Sequence, residues 1–221
     1  MGKKEIIKKI EIEAKKFFVG ASGCHDWTHV ERVRVLAMRI GKKEKADLFV
    51  LETAALLHDI GRKEELKAQG SFCHAERGAE IAKVILKKYE FNQEQIDNIF
   101  HCIQSHRYRN SYVPTTLEAK VLFDADKLDS TGAVGIGRLF LFAGSSHGSG
   151  RLHSGNEKKL AKTKKDYSFT VEDTAAMEYY TKIKNIEKRV LTKSGKKVAH
   201  ERQKFAADFF RRLEKEVEGI I

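Results

Sequence analysis

Proline is almost absent from this 221-residue chain, which holds only Pro114. Proline removes a backbone donor and clashes within a helix, so its scarcity leaves long stretches free to be helical. Cysteine is scarce too. Cys24, Cys73 and Cys102 form an odd set without a Cys-x-x-Cys pair, which argues against a disulfide framework or a ribbon-type zinc site and predicts buried thiols. No apolar run approaches the ~18 residues that a membrane helix needs. The opening MGKKEIIKKIEIEAKKFF is amphipathic rather than a charged stub followed by an apolar core, so a cytoplasmic protein without a membrane segment is expected. Three nucleotide and hydrolase signatures are also missing: Gly-x-Gly-x-x-Gly at a strand–helix junction, a Walker-type phosphate loop and a Gly-x-Ser-x-Gly elbow. The glycines of GAVGIGR therefore read as helix packing rather than a phosphate cradle.

What is present is charge and helical periodicity. The chain carries 42 Lys plus Arg against 31 Asp plus Glu, a net +11, with a pI near 9.5. From Gly148 onward there are 18 basic and 11 acidic residues, so most of the excess is C-terminal. With 41% hydrophobic residues the chain can build a core, which excludes wholesale disorder. A basic segment from Lys158 to Lys204 raises the alternative of a nucleic-acid-binding protein. It lacks a base-stacking pattern or a recognisable motif, so it reads as a solvated surface, and nucleic acid is not the expected partner.

Apolar residues recur at helical spacing nearly throughout, predicting one all-α domain over residues 1–221. Thr28 with Glu31 reads as a capping box that opens a helix with His29 in its first turn. Residues 45–59 are apolar almost all round, as in a buried helix, and Gly61 supplies the stop. Further helices are predicted over 74–90, 93–107 and 116–130. The first half of GAVGIGRLFLFAGSSHGSG reads as helix and the second as loop. A polar loop over 148–170 and two closing helices within 171–219, separated by LTKSGKK, complete the chain, and residues 20–147 form the core that carries the chemistry.

Helical position sorts the nine histidines. His58 shares a stripe with Leu48, Leu51 and Ala55, so it points inward, and Asp59 ends the most apolar helix, where an unpaired carboxylate would be costly. A metal would account for such a buried pair, as would helix-end hydrogen bonds. His106 falls on the face of Ile96, Ile99 and Ile103, with His101 nearly opposite. His74 opens a helix whose Ala75, Gly78 and Ala79 permit close packing. Asp126 lies along Ala119 and Leu122 and is taken as the inward carboxylate. Asp124, aligned with Lys120 and Lys127, reads as a solvated, ion-paired position and the fallback. The neighbours Cys24-His25, Cys73-His74 and His101-Cys102 lack structural-zinc spacing.

With these motifs in place, HDWTHVERV, AALLHDIGR and LFDADKLDSTGAVGIGR, the chain resembles the HD superfamily of metal-dependent phosphohydrolases, whose signature is a histidine, a His-Asp pair and a distant aspartate. The C-terminal YYTKIKNIEKRVLTKSGKKVAHERQKFAADFF is similar to the closing segment of a small bacterial and archaeal subgroup, some of whose members are nucleoside triphosphate pyrophosphohydrolases. The resemblance implies an all-α HD-domain helical bundle with a buried metal site. It assigns His29, His58, Asp59 and Asp126 as metal ligands, with Asp59, His74 and His106 as catalytic candidates. Such a donor set suits Mn, Fe, Ni, Co or Zn over Mg and Ca, with one ion preferred and two possible. The ion would activate a bound water and polarise a phosphoryl oxygen. The implied activity is hydrolysis of a phosphoester or phosphoanhydride (enzyme class 3.1 or 3.6), with a nucleotide as substrate. Arg62, Lys63, Arg77, Arg107, Arg109 and Lys127 are candidate phosphate contacts. A diiron oxygenase on the same fold is the alternative within the family. The oligomeric state is left open by the sequence.

Overall fold

The computed structural model describes residues 1–21, 23–68, 71–107, 112–145, 148–163 and 170–221. It is all-α, with no strand among the described residues. The chain divides into two compact units, Met1–Asp126 with Leu191–Gly195, and Lys127–Val190 with Lys196–Ile221.

The first unit contains α1 (Lys3–Lys15), α2 (Trp27–Glu44), α3 (Leu48–Leu57), α4 (Arg62–Lys67), α5 (His74–Leu86), α6 (Gln93–Ser105) and most of α7 (Leu117–Leu128). Helix α3 is its centre. Leu51, Ala54, Ala55, Leu56 and Leu57 are fully buried, and α1, α2, α5 and α6 pack around it. Each large aliphatic side chain buried this way contributes about 2 kcal/mol of transfer free energy. The approach of α2 to α3 requires Gly41, because a Cβ there would lie 2.3 Å from Leu51 Cδ2.

Local chemistry differs from the expected signals in several places. Asp26, not Thr28, caps α2: its Oδ1 accepts from His29 N at 3.3 Å and from the Thr28 hydroxyl at 2.6 Å, while Glu31 takes the Trp27 indole N–H at 2.8 Å. The buried helix starts later than residue 45. Lys45 sits in the left-handed region at φ 65° and closes α2, and Asp47 caps α3 through Phe49 N and Val50 N. Gly61 is needed for close approach rather than for a left-handed stop. A Cβ there would meet His74 O at 2.4 Å and Gly78 N at 2.8 Å, where α5 crosses the chain just after α3. Only Cys102 of the three thiols is buried; Cys24 and Cys73 are half-buried.

Asp124 is the largest departure. It is fully buried instead of solvated, because Leu191 N, Thr192 N and the Thr192 hydroxyl donate to it at 2.8, 2.7 and 2.6 Å. Burial raises its pKa above the ordinary carboxylate range, and those three hydrogen bonds oppose the rise.

The second unit contains α8 (Gly132–Ala143), α9 (Glu157–Thr163), α10 (Ala175–Thr181) and most of α11 (Lys193–Val217). Helix α8 occupies the expected half of the Gly-rich stretch. The segment 148–170 is not loop throughout. It includes α9, whose buried Glu157 accepts from Ser154 N at 2.5 Å and from the Thr174 hydroxyl at 3.0 Å, and its residues 164–169 lie outside the described ones. The first closing helix stops at Thr181 and continues as a 3-10 stretch, Ile183–Arg189. The second starts within LTKSGKK, since the Thr192 hydroxyl accepts from Gly195 N at 3.0 Å and caps it.

Candidate metal centre

Five elements converge on Asp59, which sits in the turn after α3 and is 4% exposed. The first turn of α2 supplies His29 and the end of α3 supplies His58. The start of α5 brings His74, the end of α6 His106, and α7 Asp126. His29, His58, His74 and His106 are all buried. Helix ends explain the convergence, because a side chain on the last or first turn projects past its helix instead of into a neighbour's flank.

Two groups of donors share Asp59. In the first, His29 Nε2 lies 3.3 Å from His58 Nε2 and 3.4 Å from Asp126 Oδ1. Asp59 Oδ2 is 3.7 Å from His29 Nε2 and 3.9 Å from His58 Nε2. In the second, Asp59 Oδ1 is 3.3 Å from His74 Nε2 and 3.5 Å from His106 Nε2. Ligands bound at about 2.1 Å in a tetrahedral or octahedral sphere stand about 3.0–3.4 Å apart. In the first group His29 stands at that spacing from His58 and Asp126, and Asp59 lies farther out, at 3.7 and 3.9 Å from the two rings.

Hydrogen bonds on the far side of each ring fix which nitrogen faces inward. His58 Nδ1 donates to Ala55 O at 2.8 Å, and His106 Nδ1 to Ile103 O at 2.6 Å. In the neutral ring, Nε2 then carries the lone pair and faces the centre, as metal-ligating histidines require. His74 Nδ1 instead stands 2.8 Å from Glu65 Oε2 and 3.0 Å from Arg62 Nη1, between an acceptor and a donor. Glu65 is a buried site residue that the sequence reading passed over.

Charge follows from these contacts. Burial lowers the His58 pKa to about 4. Burial alone would raise Asp59, but His58 and the neighbouring rings of His106, His25 and His74 hold it well below the usual range. His74 is raised: burial lowers it, and the carboxylates Asp59 and Glu65 outweigh that. Glu65 is held down to about 2, with His74, Arg62 and Arg107 overcoming its burial. The result is an ionised carboxylate within a ring of imidazoles, a donor set that suits a divalent transition ion. Two histidines and two carboxylates in the first group fit such an ion without a thiol, and the structure offers groups that can hold a metal.

The cationic candidates separate by their partners. Arg62 is half-buried and donates to Glu65 at 3.1 Å and to His25 Nε2 at 3.1 Å. Arg107, also half-buried, donates to Glu65 at 2.7 Å and to Cys73 Sγ at 3.4 Å. Both therefore touch residues of the centre. Lys63 and Arg77 are exposed and engaged elsewhere, with Val19 O at 2.7 Å and Glu64 at 2.8 Å. Lys127 is half-buried at the end of α7 and belongs to the second unit, and Arg109 lies outside the described residues. His101 faces away from the centre, accepting from Thr115 N at 3.0 Å.

A second residue passed over in the sequence is His25. Its Nδ1 stands 3.6 Å from Asp59 Oδ2. It lies on a short 3-10 turn, Gly23–His25, outside any periodic helix, and the one signal for it was its place in HDWTH.

The HD domain profile matches residues 26–131, a span containing all four proposed ligands. The uncharacterised protein YpgQ of Bacillus subtilis is 32% identical over 220 residues, 96% of this chain and 94% of its own length. The chain belongs to the HD superfamily. Its fold matches the crystal structure of B. subtilis YpgQ in complex with ADP, with a TM-score of 0.74 at 29% identity, covering 98% of this chain and 97% of that one. It also matches a predicted HD-superfamily hydrolase from an uncultured Thermotogales bacterium, with a TM-score of 0.64 at 30% identity over 96% and 91% of the two chains. In this HD domain the His-Asp pair is His58-Asp59, and its hydrolase neighbours support a hydrolytic activity. No helix among the described residues is long and apolar enough to cross a membrane.

Proposed function

We propose that the protein is a metal-dependent phosphohydrolase cleaving a phosphoanhydride or phosphoester of a nucleotide. The reading rests on one observation: the Nε2 atoms of His29 and His58 and the carboxylate of Asp126 form one potential ligand group, with Asp59 Oδ2 3.7 and 3.9 Å from the two rings and the His58 tautomer set by Ala55 O. The ADP bound to B. subtilis YpgQ supports the nucleotide class.

A divalent ion held by these four residues supplies Lewis acidity, lowering the pKa of a coordinated water and polarising a phosphoryl oxygen. The chain itself supplies position and protons. Asp59 stays ionised among imidazoles and orients the attacking water. His74, whose pKa Asp59 and Glu65 raise, is placed to donate to the leaving oxygen. His106 has its Nδ1–H committed to Ile103 O, so its Nε2 accepts rather than donates. Arg62 and Arg107 bring positive charge to the phosphates, with Lys63 and Arg77 as outer contacts.

A panel of nucleoside mono-, di- and triphosphates with added Mn²⁺ tests this reading. Phosphate or pyrophosphate release is expected, and His58→Ala or Asp59→Ala abolishes it with the helical circular-dichroism spectrum retained. Full turnover by either folded variant refutes the proposal.

One ion is the preferred count. The separate donor groups His29–His58–Asp126 and Asp59–His74–His106 favour a second reading with two ions, which would include a diiron oxygenase. Metal analysis separates them: two irons per chain with oxygen uptake supports the oxygenase, and one Mn²⁺ or Ni²⁺ with nucleotide turnover supports the hydrolase.

A further inference from the structure

His25 shares a potential ligand group with His29 and Asp59, yet its hydrogen bonding argues against ligation. A guanidinium has only donors, so the contact of Arg62 with His25 Nε2 at 3.1 Å makes Nε2 the acceptor. The neutral ring then carries its proton on Nδ1, the atom nearest Asp59. Metal ligation needs a lone pair there, and His25 presents an N–H. This is the reverse of His58 and His106, whose N–H groups point outward to backbone carbonyls.

That N–H is left over. The His25 ring is 36% exposed, but Nδ1 itself is shut off from solvent and has no hydrogen bond among the described residues. The 3.6 Å gap to Asp59 Oδ2 exceeds hydrogen-bond reach. Arg62 Nε is a second solvent-excluded donor without a partner, on the side chain that holds His25 in place. Buried donors are rarely orphaned, since each costs about 1–3 kcal/mol when unsatisfied. Two on contacting side chains, beside a carboxylate of the centre, mark a place where an acceptor binds.

We infer that His25 is a catalytic residue that contacts substrate: its Nδ1–H donates to a phosphoryl oxygen beside the metal, and Arg62 sets its tautomer. This rests on the metal-dependent phosphohydrolase reading and adds to it a residue of the reaction that is not a ligand. The acceptor fits by charge, since an anionic oxygen satisfies both orphaned donors where a neutral ligand would gain less.

The test uses the full chain loaded with Mn²⁺ and four variants, His25→Ala, His25→Asn, His25→Gln and His58→Ala. Mn²⁺ stoichiometry and affinity are read by equilibrium dialysis with elemental analysis, inorganic phosphate affinity by titration calorimetry, and turnover on the best nucleotide of the panel. His25→Ala is expected to keep wild-type Mn²⁺ binding, which His58→Ala loses, and to bind phosphate at least about tenfold more weakly. An asparagine amide N–H stands close to where the imidazole Nδ1–H stood, whereas a glutamine amide reaches toward Nε2. His25→Asn should therefore recover part of the phosphate affinity and turnover, and His25→Gln should not.

Loss of Mn²⁺ in His25→Ala while the wild type retains it overturns the inference, because His25 would then be a ligand. Unchanged phosphate affinity and turnover in His25→Ala overturn it as well. A wild type that binds no Mn²⁺ refutes the metal reading itself. A wild type that binds Mn²⁺ and phosphate but hydrolyses no nucleotide refutes the proposed activity and leaves the phosphate comparison to decide for or against His25.

Discussion

Acid should destabilise the metal-free protein through His58, and the size of the effect follows from its burial. His58 is 0% exposed, and burial brings its pKa down to about 4, against roughly 6.5 in an unfolded chain. Between these values the unfolded chain holds a proton on this ring and the folded chain does not, so folding stability falls as pH drops from 6.5 toward 4 and levels off below. Each pH unit in that window costs about 1.4 kcal/mol, giving about 2 kcal/mol at pH 5 and about 3 kcal/mol at pH 4. The perturbation that isolates it is His58→Asn, which removes the titrating ring while keeping an amide able to donate to Ala55 O. Urea denaturation of the chelator-treated wild type and variant, each at pH 7.5 and pH 5.0, gives the double difference in which acid effects of the other groups largely cancel. The variant should lose about 2 kcal/mol less than the wild type on going to pH 5.0. Equal losses in the two proteins, within about 0.5 kcal/mol, would refute the reasoning, since His58 would then titrate alike folded and unfolded.

Three further outcomes follow from the geometry. Mn²⁺ at 100 times its dissociation constant should stabilise the wild type by about 2.7 kcal/mol, and Asp126→Ala, lacking the carboxylate 3.4 Å from His29, should lose that gain in thermal melts with and without chelator. Gly61→Ala places a methyl 2.4 Å from His74 O and 2.8 Å from Gly78 N, backbone atoms that cannot rotate aside. A loss of about 1–3 kcal/mol is expected from overpacking, along with weaker turnover because His74 must shift; urea midpoints and initial rates check both. Asp124→Ala strips the acceptor from Leu191 N, Thr192 N and the Thr192 hydroxyl. Leaving these donors unsatisfied costs on the order of 3 kcal/mol, and wild-type stability in denaturant melts would count against a structural role for Asp124.

The sequence made the helices around the centre legible because burial there is periodic. The 3.6-residue repeat located α2, α3, α5, α6 and α7 to within a few residues, and the same wheel placed His58 and His106 inward and His101 away from the centre. The wheel failed where a side chain's partner came from distant sequence. Asp124 aligns with Lys120 and Lys127 on its own helix, so it read as solvated, yet the groups that bury it lie at Leu191 and Thr192. A helical wheel shows which residues share a face but not what covers that face.

The remaining misses have the same physical form. Thr28 and Asp26 are both competent caps, and the choice turned on the Trp27 indole, which draws Glu31 away from the capping box. Gly61 looked like a helix stop, and only the close passage of α5 shows what its missing Cβ permits. His25 and Glu65 lie on a 3-10 turn and a six-residue helix, elements too short to display a face. Candidate ligands on long helices are therefore readable from the sequence, whereas His25 and Glu65 sit on short elements and are defined by their neighbours. His25 shows the consequence. Its residue type and its distance from Asp59 suit a ligand, and it is the Arg62 contact, set by the fold, that turns it into a donor.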